Sequence, residues 1–497
     1  MNLSLNFPSQ VGIRPGNPFR QHISISGDVE EISVEGLPQG LIFDQTKRLI
    51  TGTLNNLGEH CVVIHARGDG SDIHGHMQIN CGEQILLTPP LGWSSWNYCG
   101  KNITDEQVRE MARALVETGL IDYGYSYVNI DDGWQGERCP DRLALQPNEK
   151  FPDMKDLCDY VHGLGLKVGI YSTPWRISYA GFTGGSADTP DGRILNSPAA
   201  GGGKRHGKYK FHKQDARQFA EWGFDYLKYD WNPIDIEHTR QMSDALRHCG
   251  RDIVFSLSNS APFEYACEWA RLSNVWRTTG DITDMFKHSQ DFPDWAHSVV
   301  QCGFMTADRW GPFVGPGHWA DPDMLVVGNF GLGAELRESR MSATEQKVHL
   351  TQWALLASPI LLGCDIRLLQ KEVLDLLRNE EVLAVNQDPL GRQARRVKTR
   401  GIRTVLNWGK GERYEGDYHE CEVWSKMLAD GSRAIALYNL SMEARQEIGF
   451  SFTDIGMTGE CEIRDLWGRK SLGAFRGGFS ADIEPHDCLL IVVRGSP

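Results

Sequence analysis

The spacing of apolar positions changes character twice along the chain. From residue 1 to about residue 86 the runs are short and alternate apolar with polar. ISISG from Ile23, ISVEG from Ile32 and CVVIHARG from Cys61 are divided by turns bearing Gly, Pro and Asp. Alternation of period two over such lengths predicts half-buried strands, and so a small β-sandwich. At Thr88 the texture becomes short apolar strands separated by helical patterns. Strands are predicted over Leu91–Trp96, Tyr125–Ile130, Lys167–Tyr171, Phe224–Tyr229, Ile253–Leu257, Asn274–Arg277, Trp319–Val327 and Pro359–Leu362. TDEQVREMARALVETG opens on a Thr cap with a glutamate in its first turn, and puts Val108, Met111, Ala112 and Leu115 on one helical face. HKQDARQFAEWG and DIEHTRQMSDALRHCG repeat the form, each closed by Gly. Eight such strands with helices between them predict an α/β protein built on a (β/α)8 TIM barrel. From about Gly391 the runs RTVLNWGK, ECEVWSKML, SRAIALYNL, QEIGFSF, GECEIRDLW and CLLIVVRG alternate again and predict a C-terminal antiparallel β-sandwich. The domains expected are 1–86, 87–391 and 392–497.

Composition narrows the function classes. Of 497 residues 40% are apolar and 23% charged, as in an ordinary globular protein, and no run approaches the ~18–20 apolar residues of a membrane span. A net charge of −14 sets nucleic acid aside as a partner, and KRHGKYK from Lys204 is read as a solvated loop. The N-terminus, MNLSLNFPSQVG, lacks a charged n-region and an apolar h-region. The expectation is a cytoplasmic protein, or a periplasmic or secreted one where a signal has been removed. Twelve scattered cysteines without CxxC suit a reducing compartment, and the 16 histidines show no metal-ligand spacing. Neither a metal nor another cofactor is expected, and His74 and His76 are placed along a strand face.

Candidate chemistry gathers at the predicted strand ends. In WGFDYLKYDWNP the strand is read as stopping at Asp230, because Trp231, Asn232 and Pro233 do not continue it. A carboxylate at the C-terminal lip of a parallel strand lies where barrels keep their chemistry. Lys228, two residues earlier, shares its side and is expected to keep Asp230 ionised, as a nucleophile requires. A structural Asp–Lys pair is the plain alternative. Trp96, Asp131, Asp132, Tyr171, Ser258, Ala261, Arg277, Asp281, Asp321, Asp323 and Met324 follow other strands and are expected to converge on one mouth. Carboxylates beside aromatic platforms suit a sugar, since carboxylates bind hydroxyls and rings stack on its apolar face. About forty residues between Tyr171 and Phe211, rich in Gly, Ser and Pro, are too long for a plain connection. They are expected to wall the pocket or to contact a partner subunit in a homo-oligomer.

Two resemblances add to this reading. GLPQGLIFD, RLITGTL and GEHCVVIHARGDG resemble the small immunoglobulin-like repeats of bacterial surface and carbohydrate-active proteins. TPPLGWSSWN, YVNIDDGW, KVGIYS, YLKYDWN, WRTTGDI, GPGHWADPDMLVVGNFG and NQDPLG resemble glycoside hydrolase family 27, the melibiase family of clan D, from Thr88 to Gly391. That resemblance implies a retaining exo-α-galactosidase acting on a terminal α-galactosyl oligosaccharide or glycoconjugate. It implies Asp230 as nucleophile and Asp281 as acid/base, with Asp131 and Asp132 towards O6 and O4. Lys228 and Arg277 would hold other hydroxyls, and Trp96 and Met324 the ring face. Where the family has DDCW and KYDNC this chain has Gly133 and Trp231, so neither family disulfide can form and Cys99 lacks its usual partner. The stretch Ile177–Tyr179 replaces the family's third-loop cysteine.

Near C2 the family's α-galactosidases carry Glu and, three residues on, Leu, whereas its α-N-acetylgalactosaminidases carry Ser and Ala. FSLSNSAPF puts Ser258 and Ala261 at that spacing, with Asn259 and Ser260 where the family has Trp and Pro; a one-residue slip would bring in Asn259 or Pro262. α-N-Acetylgalactosaminidase is therefore the near rival. β-L-Arabinopyranosidase is disfavoured by an Asp131–Asp132 pair able to hold O6, and a catalytically dead sugar-binding scaffold by the presence of both carboxylates.

Overall fold

The computed structural model describes residues 3–195, 203–287, 296–406 and 416–495. It comprises two compact units. The first is Met1–Arg277 with Gly328–Glu338 and Ile360–Leu369; the second is Thr278–Val327, Ser339–Pro359 and Gln370–Pro497.

In the first unit, the alternating N-terminal runs form two principal sheets. Gln10–Ile13, Ser71–Cys81, Gly58–Gly68 and Glu31–Glu35 make a four-stranded sheet; Pro18–His22, Leu49–Thr53 and Leu41–Asp44 make a three-stranded one. Ile13, Ile23, Ile50, Val62, Ile64, Met77 and Ile79 fill a core of their own. His74 and His76 lie exposed along Ser71–Cys81. This small sandwich is tied to residues that precede barrel strands. Asn6 Nδ2 donates to Asp122 O at 2.8 Å, Ser24 Oγ to Ile121 O at 2.8 Å and Arg20 to His162 O at 2.8 Å. Asp252 accepts from the Arg14 backbone N–H at 2.9 Å and from Asn17 Nδ2 at 2.8 Å. The module therefore sits at the N-terminal ends of the strands, the end that serves stability in such folds.

The parallel strands are β1 (Leu91–Ser94), β2 (Tyr127–Asn129), β3 (Lys167–Ser172), β4 (Tyr226–Asp230), β5 (Val254–Ser258), β6 (Val275–Arg277), β7 (Trp319–Asp321) and β8 (Ile360–Leu362). All but β7 belong to the first unit and pair there in the order β8-β1-β2-β3-β4-β5-β6. They read as apolar runs because parallel strands are covered on both faces. Gly169 lets β2 and β3 close up, since a Cβ there would meet Asn129 Oδ1 at 2.1 Å. Register sets Tyr171 opposite Lys228 and Asp230 opposite Ser258. Crossovers run through α1 (Asp105–Glu117), α2 (Met154–Gly163), α3 (His212–Trp222) and α4 (Ile236–Arg247). In α1, Val108, Met111, Ala112 and Leu115 are buried, and the partner of the Thr104 cap is Gln107 rather than a glutamate. Helix α3 ends on Gly223 in the left-handed region (φ 106°), whereas α4 stops at Arg247, short of Gly250.

Two predicted strands run too long. β1 stops at Ser94 because Trp96–Cys99 is a helical turn, and β7 stops at Asp321 because Asp323 takes φ 90°.

In the second unit, Arg395–Leu406, Gly416–Met427, Arg433–Asn439, Asp487–Gly495, Glu460–Asp465 and Lys470–Arg476 form a six-stranded antiparallel sheet, and Gln446–Ser451 pairs Gly478–Ile483. Val423, Ile435, Leu437, Ile448, Phe450, Ile463 and Ile491 lie in the core of this sandwich. Of the predicted RTVLNWGK run, Asn407 to Lys410 lie outside the described residues.

Candidate active site

Asp230 is the last residue of β4, buried at its C-terminal lip. Each of its oxygens meets a donor. The Tyr171 hydroxyl, at the end of β3, donates to Oδ2 at 3.0 Å, and the Asn259 amide, just beyond β5, donates to Oδ1. Burial, then the charges of Asp132, Asp230 and Asp131, push the Tyr171 phenol well above its usual range, so it keeps its proton and remains a donor. Lys228 Nζ donates to Asp131 Oδ2 at 2.8 Å and lies 5.8 Å from the centre of the Tyr171 ring. The register sets Lys228 level with Tyr171, two residues before Asp230, within reach of the residues that follow β2.

Asp131 and Asp132 are held as a pair. Asp131 N donates to Ser95 Oγ at 2.9 Å, and Asp132 N to Asp131 Oδ1 at 2.8 Å. Burial raises the Asp132 pKa, opposed by donors from Ala180 N, Ser178 and Gln135; the Ala180 bond is 2.8 Å long and the Gln135 bond 3.0 Å. Ser178 and Ala180 belong to the long third loop, which thus reaches Asp132; its segment Asn196 to Gly202 lies outside the described residues. Arg138 steadies this loop through Gly184 O at 2.7 Å while making a bidentate pair with Asp215 at 2.6 and 2.8 Å.

Trp96 is half-buried in the turn after β1. Ser258, Ala261 and Arg277 are all buried, with Ala261 N donating to Arg277 O at 2.8 Å. Between Ser258 and Ala261 the chain passes through the left-handed region at Asn259 (φ 69°), which turns its amide to Asp230. Gln135 and Ala180 were not singled out as site contacts, and Asn259 was named only as the residue a one-residue slip would bring to C2, not as a partner of Asp230.

Asp281, Asp323 and Met324 belong to the second unit. Asp281 is exposed and opens the short strand Asp281–Ile282. The Asp323 carboxylate accepts from Ile282 N at 2.8 Å and Met324 N at 2.8 Å, and its carbonyl from Trp353 Nε1 at 2.8 Å. Asp323 thereby fixes the residue next to Asp281, and Met324 is buried beside it in sequence.

All twelve cysteines are free thiols, including Cys99, whose thiol burial pushes up to about 12. Among the described residues, one group offers metal-ligand atoms close together: His206, Asp235 and His238, within 4.8 Å of one another. Its two imidazoles stack face to face at 3.6 Å and 10°, and Asp235 caps α4. Parallel rings do not aim two in-plane lone pairs at one ion, so the group reads as a clasp between the third loop and α4.

Two family models match the chain. The family model described as "Alpha galactosidase A" matches residues 88–192 and 199–388, and that described as "Alpha galactosidase C-terminal beta sandwich domain" matches 418–493. An alpha-galactosidase of Oryza sativa subsp. japonica is 37% identical over 419 residues, 82% of this chain and 84% of that one. A solved Bacteroides fragilis NCTC 9343 structure, 31% identical, aligns over 100% of this chain and 98% of its own with a TM-score of 0.84. The structure of alpha-galactosidase I from Mortierella vinacea, 29% identical, covers 83% of this chain and 98% of its own with a TM-score of 0.66.

Proposed function

The chain belongs to glycoside hydrolase family 27, the alpha-galactosidase family, and on that premise we propose that it is a retaining exo-α-galactosidase that removes terminal α-linked galactose from oligosaccharides or glycoconjugates. The observation that carries this reading is Asp230, at the lip of β4 with a donor on each oxygen. Donors to a carboxylate favour its charged form, the form a nucleophile needs. In the first step an Asp230 oxygen bonds to the anomeric carbon as the glycosidic bond breaks, and the leaving oxygen takes its electron pair and a proton from Asp281. Water, deprotonated by Asp281, then cleaves the glycosyl-enzyme. Asp281 is exposed, which suits a group that exchanges protons with a departing aglycone and with water.

Asp131, Asp132 and Lys228 are read as hydroxyl partners, and Trp96 and Met324 as the ring-face platform. The N-terminal sandwich is read as an immunoglobulin-like module with a structural role, supported by its attachment ahead of the strands rather than after them. The twelve free thiols support a reducing compartment.

Hydrolysis of nitrophenyl α-galactoside, with a 2-fluoro galactosyl reagent labelling Asp230, tests the assignment. No turnover, or labelling of Asp281 or Asp323, would overturn it. The small side chains of Ser258 and Ala261 favour a second activity on the α-N-acetylgalactosaminide. A roomy pocket discriminates weakly, so some cleavage of both sugars is expected, with galactose ahead.

A further inference from the structure

The loop after β5 brings to the reacting carboxylate one residue, Asn259, to which the foregoing reading gives no part beyond favouring the charged form of Asp230. We propose that Asn259 is a positioning residue of the reaction: its amide fixes Asp230 Oδ1 while Tyr171 fixes Oδ2, so the carboxylate plane is set before substrate arrives. This rests on the reading of Asp230 as nucleophile.

Three observations meet at this residue. The amide donates directly to Oδ1, on the opposite oxygen from the Tyr171 hydroxyl. Asn259 holds φ 69°, a conformation costly for most side chains but tolerated by Asn, whose short amide is then thrown back towards β4. The backbone on either side is anchored, by the Asp230–Ser258 register before it and by the Ala261 N bond to Arg277 O after it. A strained residue that reaches a reacting group is the pattern expected where local strain serves a site.

The chemistry separates Asn from its alternatives. A carboxylate with one anchored oxygen can swing about that bond; with both anchored it presents a fixed edge to the anomeric carbon, and small misplacements of reacting atoms are expensive in rate. An amide supplies the donor without charge. Aspartate in its place would set a like charge against Asp230 and favour the protonated, non-nucleophilic form. When Asp230 departs from the glycosyl-enzyme, the same donor meets the charge that returns to its oxygens, so both half-reactions use it.

The decisive variants are Asn259→Gly, which keeps the left-handed backbone accessible while deleting the amide, and Asn259→Asp, which keeps the size. Wild-type enzyme must first hydrolyse nitrophenyl α-galactoside and be labelled on Asp230. Asn259→Gly is then expected to lose about 10–100-fold in kcat/KM, the range for a hydrogen bond to a charged group. The acid limb of its pH profile should move to higher pH, and labelling by the 2-fluoro reagent should slow in proportion. Asn259→Asp should move the acid limb further. Galactose inhibition and melting temperature should change little in Asn259→Gly, which a purely structural role would not predict. An unmoved acid limb and an undiminished labelling rate in Asn259→Gly would overturn the inference while leaving Asp230 as nucleophile. Labelling away from Asp230 in the wild type would sink both.

Discussion

Asp215→Asn is expected to be among the costly polar changes in the first unit, and the structure says by how much. Asp215 and Arg138 are 0% and 2% exposed at the side chain, and the pair is bidentate, at 2.6 and 2.8 Å. The guanidinium also donates to Leu143 O and Gly184 O, each at 2.7 Å, and lies 4.3 Å from the centre of the Phe211 ring. Asp215 Oδ1 further accepts from Leu145 N at 3.1 Å. Removing the carboxylate charge leaves a guanidinium with no water to turn to, a loss of about 3–5 kcal/mol. Replacing both partners, Arg138→Met with Asp215→Leu, removes the stranded charge but leaves Leu143 O, Gly184 O and Leu145 N seeking partners. At about 1–3 kcal/mol for each buried group left unsatisfied, the double variant is not neutral either. A double-mutant cycle closed with the same substitutions, Arg138→Met, Asp215→Leu and the pair, should return a coupling of about 0.5–3 kcal/mol, as for residues in one network. Because a chain of this size need not unfold in one step, the readout is hydrogen exchange of peptides spanning residues 138–147 and 178–186. Gly184 lies four residues beyond Ala180, which touches Asp132, so KM for the galactoside should also rise more than kcat falls. Unchanged protection at 138–147 in Asp215→Asn, or a cost below about 1 kcal/mol, would refute this reasoning.

Loss of Asp281 should slow substrates with poor leaving groups far more than aryl galactosides, because general acid catalysis matters least where the leaving oxygen needs no proton; equal losses on both would remove Asp281 from the role. Dithiothreitol should leave activity and melting temperature nearly unchanged, since all twelve cysteines are free; a large fall in melting temperature would contradict this. In the second unit, burial pushes Glu422 up to about 7 and Lys426 down to about 7. The folded Glu422 keeps a proton that the unfolded chain releases between about pH 4.5 and 7, so its stabilisation is lost as pH rises through that window. Unfolded Lys426 holds a proton that the folded group has shed between about pH 7 and 10.5, so stability recovers as pH climbs further. For these two groups the minimum lies near neutrality. Melting curves should lose the acid-side slope in Glu422→Gln and the alkaline-side slope in Lys426→Met.

Much of the fold was legible because burial patterns are local. The barrel strands announce themselves as apolar runs, and their observed ends fall within a residue or two of the predicted ones wherever a turn residue follows. Where the end depends on a backbone angle it was not legible: nothing in Trp319–Val327 reveals that Asp323 turns to φ 90°. The strands Lys470–Arg476 and Gly478–Ile483 were missed because they are glycine-bearing and mostly exposed, so their alternation is faint. At the site, period-two geometry gave the side on which Lys228 and Asp230 stand. It could not give Lys228 its partner, which follows from the register between β3 and β4 and from the end of β2. Ser178 and Ala180 reach Asp132 through a loop whose path no local pattern encodes, and the Asn259 amide reaches Asp230 through one left-handed residue.

The attachment of the N-terminal sandwich bears on how the molecule comes to be made. Arg14 is separated by 238 positions from Asp252, whose half-buried carboxylate it contacts, and Asn17 by 235. The sandwich has its own core and emerges from the ribosome before the barrel, yet its docking partners in the barrel are spread from Ile121 to Asp252. During synthesis it can therefore stand as a finished footing on which the first five barrel strands assemble in turn. Such a footing repays long loop closures as each arrives rather than all at the end. A chain begun at Thr88 would have to close the barrel without that scaffold, and without the contacts that Arg14 and Asn17 make to Asp252. Its deficit would then show in the yield of folded enzyme during translation more than in the turnover of those molecules that succeed.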